Sequence, residues 1–233
     1  MSFFVDCHSH VCPAGDDGAR SVEEGEALCH EAARRGTAIL FATPHVWPYL
    51  PLSSERERAV RSAFAQLAPR AGLELRLGFE LTPAAALLAD DPHRYELDGT
   101  GCVLVEVPFT GTISPLLATA AHIEAAGLQP VIAHPERADT ISERPEEAYE
   151  LAARGWLLQV NGSSLLGREG ARIEELGWRL VEDGVASIVA SDGHRTTRPP
   201  FLDEAYAVVS ERIGEAAARP FFDGTALGLG PAG

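Results

Sequence analysis

The sequence is short of positive charge. Its 19 Lys and Arg stand against 34 Asp and Glu, a formal net charge of -15 over 233 residues. Non-specific nucleic-acid binding needs a basic footprint, and so does docking on an anionic membrane surface, so neither is expected here. No apolar run approaches the roughly 18 residues that a membrane span requires. The opening residues, Met1 to His8, hold no basic run and no long apolar stretch, so no secretory signal is read there. Cysteine is scarce. Cys7, Cys12, Cys29 and Cys102 include no CxxC pair, which argues against a disulfide framework and for reduced thiols in a cytoplasmic protein. No internal repeat, low-complexity tract or linker interrupts the chain, and residues 1–233 are read as one domain. The acidic balance leaves one class open: an anionic substrate can still bind if metal ions reverse the local field.

What is present is alternation. Seven short apolar runs read as buried strands: Phe3–Cys7, Ala38–Ala42, Leu73–Phe79, Cys102–Val107, Gln129–Ala133, Trp156–Val160 and Ala186–Ala190. Helices are expected between them. Ser21 with Glu24 forms a capping box for a helix that stops at Gly36. Ser53 or Ser54 opens a helix towards Arg70, Ser114-Pro115 one ending near Gly127, and Pro145 one ending near Gly155. Glu169–Asp183 and Leu202–Ala218 complete the set. Such alternation predicts parallel β/α units, as a shortened barrel or as a flat doubly wound sheet. The glycine-rich end, Gly228–Gly233, reads as loose.

Metal-capable side chains collect at the ends of these strands. His8 and His10 follow the first, with Asp16 and Asp17 in the next loop. His45, Glu80, Glu106 and His134 mark the ends of the second to fifth, Asn161 the sixth, and Asp192 and His194 the seventh. In a parallel barrel those ends form one face, where active sites lie. Residues i and i+2 at a strand end share a face, so His8-x-His10 and Asp192-x-His194 can each grip one ion. The imidazole and carboxylate donors, without thiolate, suit Zn, Mn or Fe. His30, His93 and His122 fall in helical or connecting segments and stay outside the set.

At these residues the sequence resembles the PHP superfamily of polymerase-associated and histidinol-phosphatase domains. It is most similar to the bacterial tyrosine-protein phosphatases of capsule and exopolysaccharide loci, the CpsB/YwqE type. The resemblance rests on Asp6-Cys7-His8-Ser9-His10, Asp16-Asp17-Gly18, Thr43-Pro44-His45, Gly78-Phe79-Glu80 and Val105-Glu106, then on His134-Pro135-Glu136-Arg137, Gln159-Val160-Asn161, Ser191-Asp192-Gly193-His194 and Arg198-Pro199-Pro200. It implies a distorted seven-stranded (β/α)7 barrel holding three divalent ions, with Mn favoured and Fe or Zn as alternatives. By that resemblance His8, His10, Glu80 and Asp192 hold one ion. Glu80, Glu106 and His134 hold the second, and Asp17, His45 and His194 the third. Arg137 and Arg198 would contact phosphate, and His45 and His194 would join them as catalytic residues. The four ligand carboxylates then leave three divalent ions a formal surplus of two positive charges, which attracts a phosphate dianion.

The implied activity is hydrolysis of phosphotyrosine by a metal-activated water, on a tyrosine autokinase of polysaccharide export. A small-molecule phosphatase, such as one for histidinol phosphate, is the alternative on the same site. A metal-binding regulator without turnover is the alternative of another class. Several residues admit plainer readings. Arg137 could pair with Glu136 or Glu143. Asn161 could orient a ligand or cap a turn, Asp6 could support a histidine, Asp16 could serve only helix entry, and Cys7 is read as core. The loop Val46-Trp47-Pro48-Tyr49-Leu50-Pro51-Leu52 departs from the polar or basic loop of the resembled group. Trp47 or Tyr49 there could meet a substrate ring or pack on a neighbouring helix.

Overall fold

The computed structural model describes residues 4–230. Phe3 and Pro231–Gly233, which figured in the expected first strand and loose tail, lie outside the described residues. Strands form at all seven expected places, together with three further two-residue strands. In chain order they are β1 (Phe4–Ser9), β2 (Thr37–Ala42), β3 (His45–Val46), β4 (Glu74–Leu77), β5 (Glu80–Leu81), β6 (Glu96–Leu97), β7 (Cys102–Glu106), β8 (Gln129–Ala133), β9 (Leu157–Asn161) and β10 (Ile188–Ala190).

The result is an α/β fold with parallel sheets. One sheet runs β1-β2-β4, and the other runs β10-β9-β8-β7-β5-β3 with β6 antiparallel on β7. The short strands explain the division. β3 and β5 follow β2 and β4 after two-residue interruptions at Thr43-Pro44 and Gly78-Phe79. Pro44 brings no N–H to the ladder. Gly78 lets Leu97 approach: a Cβ there would sit 2.5 Å from Leu97 Cδ2. The chains stay joined across the break, as Gly78 N–H donates to Ala42 O (2.9 Å) and Glu80 N–H to Pro44 O (3.2 Å). A parallel bridge between Ser9 and Gly193 ties the ends of β1 and β10 regions, where Asp192 N–H donates to His8 O at 2.9 Å.

Helix starts follow the capping chemistry. Ser21 accepts from the Glu24 N–H, and Val22–Arg34 is helical before Gly36. The Glu24 carboxylate reaches back to the Arg20 N–H, one residue beyond the expected box partner. Ser53 caps Ser54–Leu67, and the segment to Arg70 tightens into a 3-10 turn. Helices also span Ser114–Ala125, Glu146–Ala153 and Ala171–Glu182. The expected helix Leu202–Ala218 is instead two, Asp203–Ile213 and Glu215–Ala218, because Gly214 adopts φ 88°. The described part of the tail is tied down rather than loose: Leu229 N–H donates to Gly224 O and Leu229 packs on buried residues.

Strand faces alternate as the two-residue period requires. Val103, Val105, Leu158 and Val160 join the large apolar cluster that the helices cover. Cys102, Leu104, Val131, Ala133, Ile188 and Ala190 form a smaller cluster on the other face. Cys7 belongs to that smaller cluster, as read from sequence, and all four cysteines are buried free thiols. At the carboxyl ends this same face carries Glu106, Gln159 and Asn161, and the site begins there.

Candidate metal centre

The strand ends bring all nine expected donors together. His8, His10, Glu80, His134 and Asp192 are buried, Glu106, His45 and His194 nearly so, and only the Asp17 side chain is open to solvent. Four sets have donor atoms within 4.8 Å of one another: His8-His10-Glu80, His8-His134-Asp192, Glu80-Glu106-His134, and His10-Asp17-His45-His194. The sets centred on Glu80 share it. His10 reaches both its expected partners and the Asp17 group, so the boundary between these sets is less sharp than the sequence-based sorting.

Distances within the first group are tight. His8 Nε2, His10 Nε2, Glu80 Oε2 and Asp192 Oδ1 lie 3.2–3.4 Å apart in five of their pairings. A tetrahedral ion with donors at 2.0–2.1 Å would space them by about 3.3 Å. Glu80 Oε1 lies 2.9 Å from His134 Nε2, and Glu80 Oε2 lies 2.8 Å from His45 Nδ1. Asp17 Oδ1 is 3.2 Å from His194 Nε2 and 3.5 Å from His45 Nε2. Yet Glu80 Oε2, His10 Nδ1, His45 Nδ1 and His134 Nδ1 are buried without a hydrogen bond of sound geometry. Buried polar atoms are normally paired, so this orphaned set fits a cation-binding role.

The electrostatics agree. Burial alone would raise the Glu80 and Asp192 carboxyls, but the facing histidines outweigh it and hold both well below the carboxylate range. Burial likewise opposes charge on His8 and His10. For His8 the charges of Glu80 and Asp192 win, and for His10 the facing carboxylates of Asp16, Asp192 and Glu80 win, so both titrate above an ordinary histidine. Burial, then the Glu80 charge, pushes Glu106 up to about 8. The cluster therefore draws positive charge inward. The residues present fit divalent cations.

Backbone and neighbours aim these donors. His134 and Asp192 are the only non-glycine residues with positive φ among the described residues, at 37° and 50°. Each directly follows a strand or nearly so, and the strained turn directs its side chain into the cluster. Gln159 Oε1 holds His8 Nδ1 at 2.9 Å, which leaves Nε2 for the centre. Asn161 does orient a donor: its amide donates to Asp192 Oδ2 at 2.9 Å. Asp6 supports the backbone instead of a ring, accepting from Ser191 N–H (3.0 Å) and His8 N–H (3.3 Å). Asp16 does more than open a helix, since it accepts from the His45 and Gly18 N–H groups.

Above the donors opens a cavity of about 320 Å³, lined by Asp17, His45, Trp47, Tyr49, Thr82, Glu106, Phe109, His134, Arg137, Asp192, His194 and Arg198. Arg137 pairs with Asp192 (2.8 Å) and Glu169 (3.1 Å), not with Glu136 or Glu143. Glu136 is buried and accepts from Asn161 N–H and Ser164 Oγ. Arg198 reaches Asp192 Oδ1 at 3.3 Å, and its Nε is buried without a partner. Gly193 makes this possible: a Cβ there would lie 2.5 Å from the Pro200 backbone, so only glycine lets the arginine loop close on the site. Trp47 stacks on His45 with centroids 4.3 Å apart and forms part of the cavity wall.

Sequence reading missed four supports. Arg56 donates to the His45, Leu50 and Ala14 carbonyls and so fastens the His45 loop. Thr82 donates to Glu106, Phe109 stacks on His134, and Ser191 Oγ donates to His8 O. None lies at a telling spacing. Of the four only Ser191 gave a signal, by its strand-end position in Ser191-Asp192-Gly193-His194.

Comparison with known proteins bears on this site. A family model described as "Capsular polysaccharide synthesis, CpsB/CapC" matches residues 4–226. The tyrosine-protein phosphatase YwqE of Bacillus subtilis (strain 168) is 31% identical over 222 residues, covering 90% of this chain and 85% of the relative. The tyrosine-protein phosphatase CpsB of Streptococcus agalactiae serotype III (strain NEM316) is 26% identical over 231 residues, covering 94% of each. Among solved structures, a chain from the crystal structures of YwqE from Bacillus subtilis and CpsB from Streptococcus pneumoniae, described as unique metal-dependent tyrosine phosphatases, is similar with a TM-score of 0.78. That match has 27% identity and covers 92% of this chain and 89% of the other. With a family match over residues 4–226 and a relative 31% identical over 90% of the chain, this chain belongs to the CpsB/CapC family.

Proposed function

We propose that this protein is a metal-dependent phosphatase that hydrolyses phosphotyrosine in proteins, with a tyrosine autokinase of polysaccharide biosynthesis as its partner. The observation that carries the reading is the convergence of nine imidazole and carboxylate donors beneath a cavity into which two arginines reach. We read the two sheets as one distorted seven-stranded barrel of the PHP type, and residues 1–233 as one cytoplasmic domain. The Ser9–Gly193 bridge and the continuation of β2 into β3 and β4 into β5 support the barrel.

Three divalent ions, Mn first with Fe or Zn as alternatives, would be held by His8, His10, Glu80 and Asp192, by Glu80, Glu106 and His134, and by Asp17, His45 and His194. When bound, they would supply Lewis acidity and a water that ionises near neutral pH. The chain's own part is to position and neutralise. Arg137 and Arg198 flank Asp192 from two sides, and their guanidinium groups can grip phosphoryl oxygens by charge-assisted bonds. The unpartnered Arg198 Nε offers one such donor before any substrate arrives. His45 and His194 stand at the same cavity wall, where they would steady the leaving side of the ester. A phenolate leaves readily, so the site needs no strong general acid for phosphotyrosine.

The test is turnover of a phosphotyrosine peptide and of histidinol phosphate, side by side, with Mn, Fe or Zn supplied and then chelated. Metal-dependent turnover that favours the peptide is expected. Preference for histidinol phosphate would replace the substrate and keep the site. Bound metal with no turnover of either would favour a regulator.

A further inference from the structure

The rings around the site form two stacked series. In one, His10 stacks on His45 (centroids 4.3 Å, planes 28° apart), His45 on Trp47 (4.3 Å, 23°), and Trp47 on Tyr49 (5.2 Å, 27°). In the other, His8 stacks on His134 (5.5 Å, 28°) and His134 on Phe109 (5.7 Å, 12°). Each series starts at a buried histidine of the His8-x-His10 pair. Each ends on a ring exposed to solvent: Tyr49 at 78% and Phe109 at 42%. Only three large hydrophobic side chains are that exposed among the described residues, and these two both line the cavity above the donors.

Exposed aromatic surface at the rim of a polar pocket marks a binding edge more than a packing accident. Neither ring sits on slack chain. Leu50 N–H donates to Trp47 O at 2.9 Å and closes the turn that carries Tyr49. Arg56 then pins that turn through the Leu50 and His45 carbonyls, at 2.9 and 2.8 Å. On the other wall, the Arg137 guanidinium lies 5.3 Å from the Phe109 centroid, so the same arginine addresses both the ring and the floor. The cavity thus has an ionic floor and two aromatic lips.

We propose that Tyr49 and Phe109 form an aryl-recognition subsite, so that the cavity selects aryl over alkyl phosphate monoesters by contact with the ring. The assignment rests on the phosphatase reading and adds the source of its substrate preference. The phosphoryl group occupies the floor between Arg137 and Arg198, and the ring it esterifies lies against the two lips. Offset or edge contacts of this kind strengthen binding by roughly three- to tenfold for each pair of rings.

Ring contact must be separated from leaving-group reactivity, so binding is measured with phosphonates that cannot be hydrolysed. Phenylphosphonate and propylphosphonate are titrated calorimetrically into the Mn-loaded full chain, with inorganic phosphate as the reference ligand. The proteins are wild type, Tyr49→Leu, Phe109→Leu and the double variant. Leucine keeps apolar area and removes the flat ring, and both positions are exposed enough to keep the fold. The expected result is a phenyl preference of at least about tenfold in wild type that falls to within about twofold in the double variant. Each affinity is taken relative to that of phosphate on the same protein. A double variant that keeps the wild-type preference, or a wild type with none, would overturn the subsite while leaving the phosphatase reading intact. A wild type that binds neither phosphonate nor phosphate would overturn both.

Discussion

One face of the parallel strands behaves in two ways along its length. Its lower part is an apolar cluster of Val5, Cys7, Leu104, Val131, Ile188 and their neighbours. Its upper end, a few residues further along the same strands, holds His8, Glu106, His134 and Asp192. The two halves are equally buried but are held by different forces. The lower half needs only shape and the transfer of hydrocarbon from water. The upper half buries carboxylates and imidazoles whose orphaned atoms need cations, and it distorts the backbone at His134 and Asp192 to aim them. Function here occupies the end of the face where burial alone would be unfavourable.

The largest expected effect strikes the upper half alone. Glu80→Gln keeps the shape but removes the charge that His8, His10, His45 and His134 all face. Metal content, measured by atomic emission after dialysis, should fall, and phosphatase turnover should drop by roughly 10³-fold or more. The far-ultraviolet dichroism should stay unchanged. Full metal retention would show that Glu80 does not join the two groups that contain it.

The lower half should answer in the opposite currency. Leu104 is fully buried in the small cluster. Leu104→Ala should cost about 3 kcal/mol in denaturant unfolding, from lost transfer energy and the cavity left behind. Its metal stoichiometry should not change. Loss of metal in this variant would mean that the two halves are coupled, contrary to the contrast drawn above.

A smaller effect tests the seam between them. Gln159 stands on β9 and holds His8 Nδ1. Gln159→Leu should weaken metal affinity by roughly 10-fold, since partners that orient a ligand typically contribute 10–100-fold. Competition with a chelator of known affinity reads this directly. An unchanged affinity would show that the strand end alone orients the His8 ring.

Much of the molecule was legible in the chain. Strands formed wherever a short apolar run ended in a polar residue, because the run is buried on both faces and its end meets the site. Donors could be named because histidine and carboxylate at a strand end have little reason to recur at every strand without a shared partner. Helix starts at Ser21 and Ser53 were legible because capping is local chemistry. The break at Gly214 was not, since a glycine inside a helical pattern is tolerated or breaks the helix according to what surrounds it.

Composition, short apolar runs and the strand-end placement of imidazoles and carboxylates thus determined from sequence alone the α/β class, the order of the main elements and which polar side chains the strand ends would bring together. Tertiary structure alone decided how the strands divide into two sheets, that His10 reaches two groups of donors, and that both arginines converge on Asp192. It alone disclosed Arg56 fastening the His45 loop and the two aromatic lips. The reason is separation along the chain. Gln159 meets His8 across 151 residues and Ser191 meets Asp6 across 185, and no local pattern encodes a contact between residues that only the closure of the fold brings together.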